Sequence, residues 1–260
     1  MTRHETAFTP DIADKDLVIA TDLDGTFLGG TEDERARFYK WIRANRDRIG
    51  LIFVTGRDPG FINKLTKRDG VPRPDYVVAD VGTTVATVDV NHVIAPIPEL
   101  EEEIARAWGN ATATVQHALR GLPGLTPQST GFRHRMSFDM DPAQFDPRAV
   151  EVIEKLGLDA LVSADRFFDV LPRGVSKGPT LMRLLDHVGV EAKRTLVAGD
   201  TLNDLSMLQL GLPAVAVGGS EPALIDRVSD LEHMHIAKGH GVAGIAEAIL
   251  AFGMFTAKQS

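Results

Sequence analysis

The chain has 260 residues, 43% hydrophobic and 25% charged, with 28 Lys and Arg against 36 Asp and Glu for a net charge of -8. That length admits one large domain or two modest ones, the acidic balance argues against nucleic acid and anionic membranes as partners, and the lack of cysteine excludes disulfides and thiolate chemistry. No apolar run approaches the roughly 18 residues of a membrane span, and the polar stretch 1–16 has no apolar signal core, so a cytoplasmic location is expected, with the first dozen residues frayed.

The run Leu17-Val18-Ile19-Ala20-Thr21 reads as a strand buried on both faces of a parallel sheet, and it ends in Asp22-Leu23-Asp24-Gly25-Thr26. Open α/β sheets bind ligands at the carboxyl ends of their strands. Asp22 and Asp24 are therefore presented at a site, while Gly25 lets the chain turn sharply away. Two carboxylates one residue apart suit a nucleophile and a general acid–base; a simple Asp/Gly-rich turn is the plainer reading. A helix over about 32–45 has Phe38, Trp41 and Ile42 as its apolar stripe, and an apolar strand at 51–54 runs into Thr55-Gly56-Arg57. A hydroxyl, an exposed backbone N–H and a cation at a strand end suit phosphate oxygens; a capping Thr beside a solvated Arg is the alternative. A helix over about 61–68, a strand at 76–79 and a hairpin of segments 84–88 and 93–97 follow. The strand–helix order implies right-handed crossovers on a parallel sheet.

Near Pro96 the texture changes. Helices are expected at about 99–108, 111–120 and 147–156, with strands at 125–128, 136–140 and 160–163. Strict alternation is lost, which indicates α+β with an antiparallel sheet. Residues 97–168 are read as an inserted domain between two parts of the main one, 1–96 and 169–260. Trp108 reads as packing. Arg133-His134-Arg135 is the insertion's basic cluster, and Arg133 and Arg135 either face a substrate or lie on a solvated edge.

Residues 168–172 are expected to rejoin the main sheet. Lys177, beside Gly178 at the start of a helix over about 178–188, can bring a point charge to a bound phosphate. The apolar strand 195–199 ends in Asp200-Thr201-Leu202-Asn203-Asp204, whose two carboxylates suggest a hard cation with oxygen ligands; an N-cap is the alternative for one of them. Strands at 214–217 and 233–236 and a helix over about 242–252 complete the chain.

The ordered set Asp22-x-Asp24-Gly-Thr, Thr55-Gly-Arg57, Lys177 and Gly-Asp200-x-x-Asn203-Asp204 resembles the haloacid dehalogenase-like (HAD) phosphohydrolases. The resemblance implies a doubly wound Rossmann-like parallel sheet with an inserted α+β cap of the C2B type. A closer resemblance, to the sucrose-phosphate phosphatase family, rests on residues 74–83, 169–178 and Ala243-Gly244-Ile245. That family usually has an Asn and a small residue after the strand 214–217, where this chain has Gly218-Gly219-Ser220. The resemblance implies a phosphatase in which Asp22 is the nucleophile and Asp24 the general acid–base. Mg²⁺ would be held by Asp22, Asp200 and the backbone carbonyl of Asp24, supported by Asp204, with Thr55, Gly56, Lys177 and Asn203 around the phosphoryl group. It further implies a sugar phosphate, such as sucrose 6-phosphate, read by a cap carrying Arg133 and Arg135, in a monomer or weak homo-oligomer. Phosphatases of trehalose, mannosylfructose or glucosylglycerol phosphate, a sugar phosphomutase, and a catalytically silent partner of a sugar-transferring synthase remain alternatives.

Overall fold

The computed structural model describes residues 10–68, 70–129, 131 and 133–256. The first part of the chain forms β1 (Leu17–Thr21), α1 (Glu32–Ala44), β2 (Ile49–Val54), α2 (Pro59–Thr66), β3 (Tyr76–Ala79), β4 (Thr84–Val88) and β5 (Ile94–Pro96). An intervening part forms α3 (Pro98–Trp108), α4 (Ala111–Ala118), β6 (Leu125–Pro127), β7 (Met136–Met140), α5 (Arg148–Lys155), β8 (Leu158–Ser163) and β9 (Phe167–Pro172). The last part forms α6 (Lys177–Val188), β10 (Thr195–Gly199), α7 (Leu205–Leu208), β11 (Ala214–Gly218), α8 (Pro222–Val228), β12 (Met234–His240) and α9 (Val242–Ala251).

The main sheet has the order β12-β11-β10-β1-β2-β3-β4-β5. It is parallel from β12 to β3 and antiparallel where β4 and β5 are added. Side chains alternate across a strand, and here the alternation makes two cores. Leu17 and Ile19 of β1 pack with α1 and α9, while Val18 and Ala20 pack with α6, α7 and α8 on the other face. β1 is central, and the chain order departs from it in both directions: β2 lies on one side and β10 on the other. The crevice at the carboxyl ends of β1 and β10 is therefore the topological switch point at which such sheets bind ligands.

Helix α1 starts with a reciprocal capping box. The Thr31 N–H donates to Glu34 Oε2 at 2.7 Å, and the Glu34 N–H donates to Thr31 Oγ1 at 3.3 Å. Its buried stripe is Phe38, Tyr39 and Ile42. Trp41, expected on that stripe, sits instead at the edge, stacked on Phe38 and met edge-on by Phe255. Tyr39 takes the inner place because its hydroxyl donates to the Phe27 carbonyl at 2.6 Å. Residues 1–9 lie outside the described residues. From residue 10 onward the expected fraying does not hold, because Ile12 is core and Pro10 accepts a 2.6 Å hydrogen bond from the Tyr76 hydroxyl.

The second sheet is antiparallel, in the order β6-β7-β9-β8. The segment expected to rejoin the main sheet, β9, is an inner strand of this smaller one. Its apolar residues Phe168 and Val170 are needed there, packed with Trp108, Val115, Phe138 and Ile153 into a third core, and Phe168 meets Phe138 and Phe145 in aromatic contacts. The chain thus leaves the main sheet after β5 and takes up its next strand there at β10. No helix among the described residues is long and apolar enough to cross a membrane.

Truncating Phe168 to Ala should cost about 3–5 kcal/mol of local stability. Amide exchange should then rise across β7 and β8 while β1 and β10 stay protected; deprotection centred on β10 would contradict the placement of β9.

Candidate active site

The register of β1 against β10 pairs Thr21 with Ala198, and the Asp22 N–H donates to the Ala198 carbonyl at 2.9 Å. Two residues further along β10 the chain reaches Asp200, so simple strand pairing brings Asp22 and Asp200 to one crevice. After Asp22 the chain turns through Gly25, at φ +80°. Besides that conformation, Gly25 supplies space: a Cβ there would stand 2.1 Å from Asp200 Oδ2. Thr26, just beyond, donates to Asp200 Oδ1 at 2.7 Å.

Lys177 opens α6 and is fully buried. Its ammonium donates to Asp22 Oδ1 at 2.7 Å, Asn203 Oδ1 at 2.7 Å and Asp204 Oδ1 at 2.5 Å. An ammonium has three donors, so all are engaged within the cluster. Asp204 is equally committed, its Oδ2 accepting from the Asp200 and Thr201 N–H groups at 2.9 and 3.0 Å. Its approach requires Gly199, where a Cβ would lie 2.5 Å from Asp204 Cβ. Carboxylate oxygens of Asp22, Asp200 and Asp204 all lie within 4.8 Å of one another.

Three carboxylates face one ammonium, and the chemistry registers the mismatch. Burial pushes the Asp22 carboxyl up to about 8, with Lys177 opposing and Asp204 adding to the rise. Burial and Asp204 push Asp200 up to about 7. Burial works against the Lys177 charge, but Asp204 and Asp22 outweigh it and raise its pKa above the ordinary lysine value. Oδ2 of Asp22 and Oδ2 of Asp200 accept no hydrogen bond from the described residues. An all-oxygen donor set with an excess of negative charge suits a hard divalent cation, and Asp22 and Asp200 have the oxygens to hold it.

The other residues singled out in the sequence stand around this cluster. Asp24 points away from it and is held by Arg57 in a fork, Nε to Oδ2 at 2.7 Å and Nη2 to Oδ1 at 2.9 Å, with both side chains about half exposed. Arg57, which the sequence left open between a phosphate contact and a solvated cation, is committed to Asp24 and to the face of Phe61. Thr55 is buried, and its Oγ1 accepts the Arg57 N–H at 3.1 Å, which leaves its own proton to donate. A Cβ on Gly56 would meet only an ordinary contact with Val81 at 3.7 Å, so packing within the protein does not demand a glycine there. Arg133 and Arg135 are not brought to the carboxylates. Arg133 binds Thr84 and Glu101, and the buried Arg135 binds Asp169, Asp80 and the Gly56 carbonyl. Among described residues, the sequence reading passed over Thr26, Asp80 and Glu221. Thr26 and Asp80 carried a signal, each standing in a strand-end motif. Glu221, which accepts the Leu202 N–H at 2.8 Å, carried none, since only the fold brings α8 to the Asp200 loop.

Over residues 15–253 the chain matches the family model described as sucrose-6F-phosphate phosphohydrolase. Its architecture is that of haloacid dehalogenase-like hydrolases. It superposes on the sucrose-phosphatase of Synechocystis sp. PCC6803, solved in complex with sucrose and phosphate, with a TM-score of 0.82 at 23% identity over 92% of this chain and 98% of that one. It is 37% identical over 244 residues to a glucosylglycerol-phosphate synthase of Pseudomonas anguilliseptica, covering 94% of this chain and 31% of that protein. It is 26% identical over 248 residues to a mannosylfructose-phosphate phosphatase of Agrobacterium fabrum, covering 91% of this chain and 97% of that protein. The chain thus spans under a third of the first relative and nearly all of the second. It belongs to the sucrose-6F-phosphate phosphohydrolase family.

A carboxyl raised on folding stabilises the native state fully below its unfolded pKa, and that contribution is lost as pH rises through the folded pKa. In EDTA, the contribution of Asp22 and Asp200 should therefore decline from about pH 4 toward pH 7 to 8. Asp200→Asn should raise the EDTA melting temperature at pH 8 by a few degrees (about 2–4 °C per kcal/mol for a chain of this size) and blunt the response to Mg²⁺. Thermal melts that show the variant less stable than wild type at pH 8 in EDTA would contradict this electrostatic account.

Proposed function

We propose that the protein is a Mg²⁺-dependent phosphatase that hydrolyses a phosphorylated glycoside through a phosphoaspartate on Asp22. The observation that supports this most directly is the buried cluster of Asp22, Asp200 and Asp204 around Lys177 at the switch point of the sheet. Mg²⁺ suits the oxygen-only donors and their few protein ligands: Asp22, Asp200 and the backbone carbonyl of Asp24 would hold it, with Asp204 behind them. When bound, it supplies the positive charge that lets these carboxyls stay ionised beside a phosphate dianion.

The chain's own residues carry the rest. Lys177 anchors Oδ1 of Asp22, which leaves Oδ2 as the attacking oxygen. As the Asp22–phosphorus bond forms and the phosphorus–sugar oxygen bond breaks, Asp24, released from the Arg57 fork and protonated from solvent beforehand, gives that proton to the leaving oxygen. Water then returns a proton to Asp24 and attacks phosphorus, which frees phosphate and the Asp22 carboxylate. Arg57 keeps Asp24 outside the pool of charge around Lys177. The Thr55 hydroxyl, the Gly56 N–H and the Asn203 amide are the donors for the equatorial oxygens, whose charge must be met in the transition state.

For the substrate, membership of the family favours sucrose 6-phosphate, and the 26% relative extends the class to mannosylfructose phosphate. The 37% identity to a glucosylglycerol-phosphate synthase favours a second reading, glucosylglycerol phosphate. All three join a glycosyl unit to a phosphorylated acceptor. The enzyme would act on this small molecule in the cytoplasm.

The test is phosphate release from these three compounds and from glucose 6-phosphate, in Mg²⁺ and in EDTA, beside Asp22→Asn. The account expects turnover that needs the metal, drops by at least about 10³-fold in the variant, as befits loss of a nucleophile, and favours one glycoside phosphate. Binding without turnover would sink the phosphatase reading in favour of a silent binder, and transfer of phosphate to another position of the sugar would replace it with a mutase.

A further inference from the structure

Arg135 precedes β7 in the smaller sheet, yet among the described residues its guanidinium bonds to groups of both the smaller sheet and the main domain. Nη1 donates to Asp169 Oδ1 of β9 at 3.1 Å. Nη2 donates to Asp80 Oδ1 at 3.2 Å and to the Gly56 carbonyl at 3.0 Å, both in the main domain. The side chain is 6% exposed, so these contacts are made in a low-dielectric seam between the two sheets, where charge-assisted hydrogen bonds are strong.

The Gly56 carbonyl belongs to the peptide whose N–H is that of Arg57. That N–H donates to Thr55 Oγ1 at 3.1 Å. One peptide unit is therefore held at both ends, by Arg135 on its oxygen and by the Thr55 hydroxyl on its nitrogen. Because peptides are planar, a tilt at the carbonyl end moves the N–H end as well, and with it the hydroxyl that is left to donate outward.

The Asp80 turn braces the two peptides that flank this unit. It comprises three consecutive left-handed residues, Asp80 at φ 53°, Val81 at φ 58° and Gly82 at φ 101°. A β-branched residue in that region is a costly conformation that persists only where its surroundings impose it. Here the Asp80 N–H donates to the Arg57 carbonyl and the Val81 N–H to the Thr55 carbonyl, both at 3.1 Å. The Gly82 carbonyl accepts from Thr180 of α6 at 2.9 Å, and a Cβ on Gly82 would stand 2.4 Å from the Ser176 carbonyl carbon, next to Lys177. The turn is wedged between the Thr55–Arg57 loop and the start of the helix that carries Lys177.

We infer that Arg135 and Asp80 are positioning residues that make the phosphoryl-binding donors of the main domain depend on the seating of the smaller one: Arg135 aligns the Gly56–Arg57 peptide, and through it Thr55, only while β7 and β9 rest against the Asp80 turn. This deepens the phosphatase reading and rests on it. It also gives Arg135 a task other than contact with the sugar.

The experiment compares Arg135→Lys and Asp80→Asn with wild type in the Mg²⁺-loaded protein, using inorganic phosphate as the ligand in calorimetry and the glycoside phosphates in kinetics. Lysine keeps a charge beside Asp169 and Asp80 but lacks the fork that also holds the Gly56 carbonyl. The expected result is phosphate affinity weakened roughly tenfold, as for loss of one charge-assisted hydrogen bond, with kcat lowered and the ratio of kcat/KM between glycoside phosphates unchanged. Asp80→Asn should act in the same direction, and the two changes together should be less than additive. Wild-type phosphate affinity in both folded variants would overturn the inference alone, as would a changed substrate ratio with intact phosphate binding, which is what sugar contact by Arg135 would give. Failure of the wild-type protein to bind phosphate would overturn the phosphatase reading and this inference with it.

Discussion

The rest of the structure is arranged around one buried ammonium. Lys177 neutralises Asp22 and Asp204 and orients Asn203, and no water reaches it. Removing one partner from such a buried ion cluster costs about 3–5 kcal/mol, so the three acceptors and the lysine stand or fall together. The glycines nearby follow from this. Gly199 and Gly25 let Asp204 and Asp200 come close, and Gly178 lets α6 lie against the backbone of Ser206, where a Cβ would be 2.0 Å from the carbonyl oxygen. One lysine cannot balance three carboxylates, and burial, with the neighbouring Asp204 adding to it, raises the pKa values of Asp22 and Asp200. Such an excess of buried negative charge suits a divalent cation.

A second constraint joins the two sheets. The smaller sheet has its own apolar core of Trp108, Phe138, Phe168 and their neighbours, while the other end of α3 places Ile104 in the core of the main sheet. The rest of the seam is polar. Arg135 lies buried between acids of both parts, and Arg133 bonds to Thr84 and Glu101. Such charge-assisted contacts fix the register of the two sheets at a low-dielectric seam.

The fold was legible wherever a residue pattern has only one physical outlet. Apolar runs at 17–21, 51–54 and 195–199 can be buried only on both faces, which makes them central parallel strands, and the carboxylates after them must meet at the switch point. The segment Phe168-Asp169-Val170-Leu171-Pro172 is apolar enough for either sheet, and local pattern could not decide between them; its true partners, β7 and β8, are set by the demand of Trp108 and Phe138 for cover. Tyr39 was not legible on the inner stripe because a hydroxyl-to-carbonyl bond to Phe27 is invisible in periodicity. The cluster of Asp22, Lys177, Asp200, Asn203 and Asp204 was legible as a set of strand ends in order. The commitments of Arg57 to Asp24 and of Arg135 to Asp80 were not, because a basic residue in a loop reads alike whether it awaits an anion or already holds a carboxylate.

The central claim is that this carboxylate cluster is held partly protonated until a divalent cation arrives. It is tested most directly by titrating Mg²⁺ into the metal-free protein at pH 7 by calorimetry in buffers of different ionisation enthalpy, which counts the protons released on binding. With Asp22 raised to about 8 and Asp200 to about 7, the account predicts release of about one proton or more per cation and an affinity that increases toward pH 8. Binding with no proton release and no pH dependence between about pH 6 and 8, the span over which these groups titrate, would contradict it.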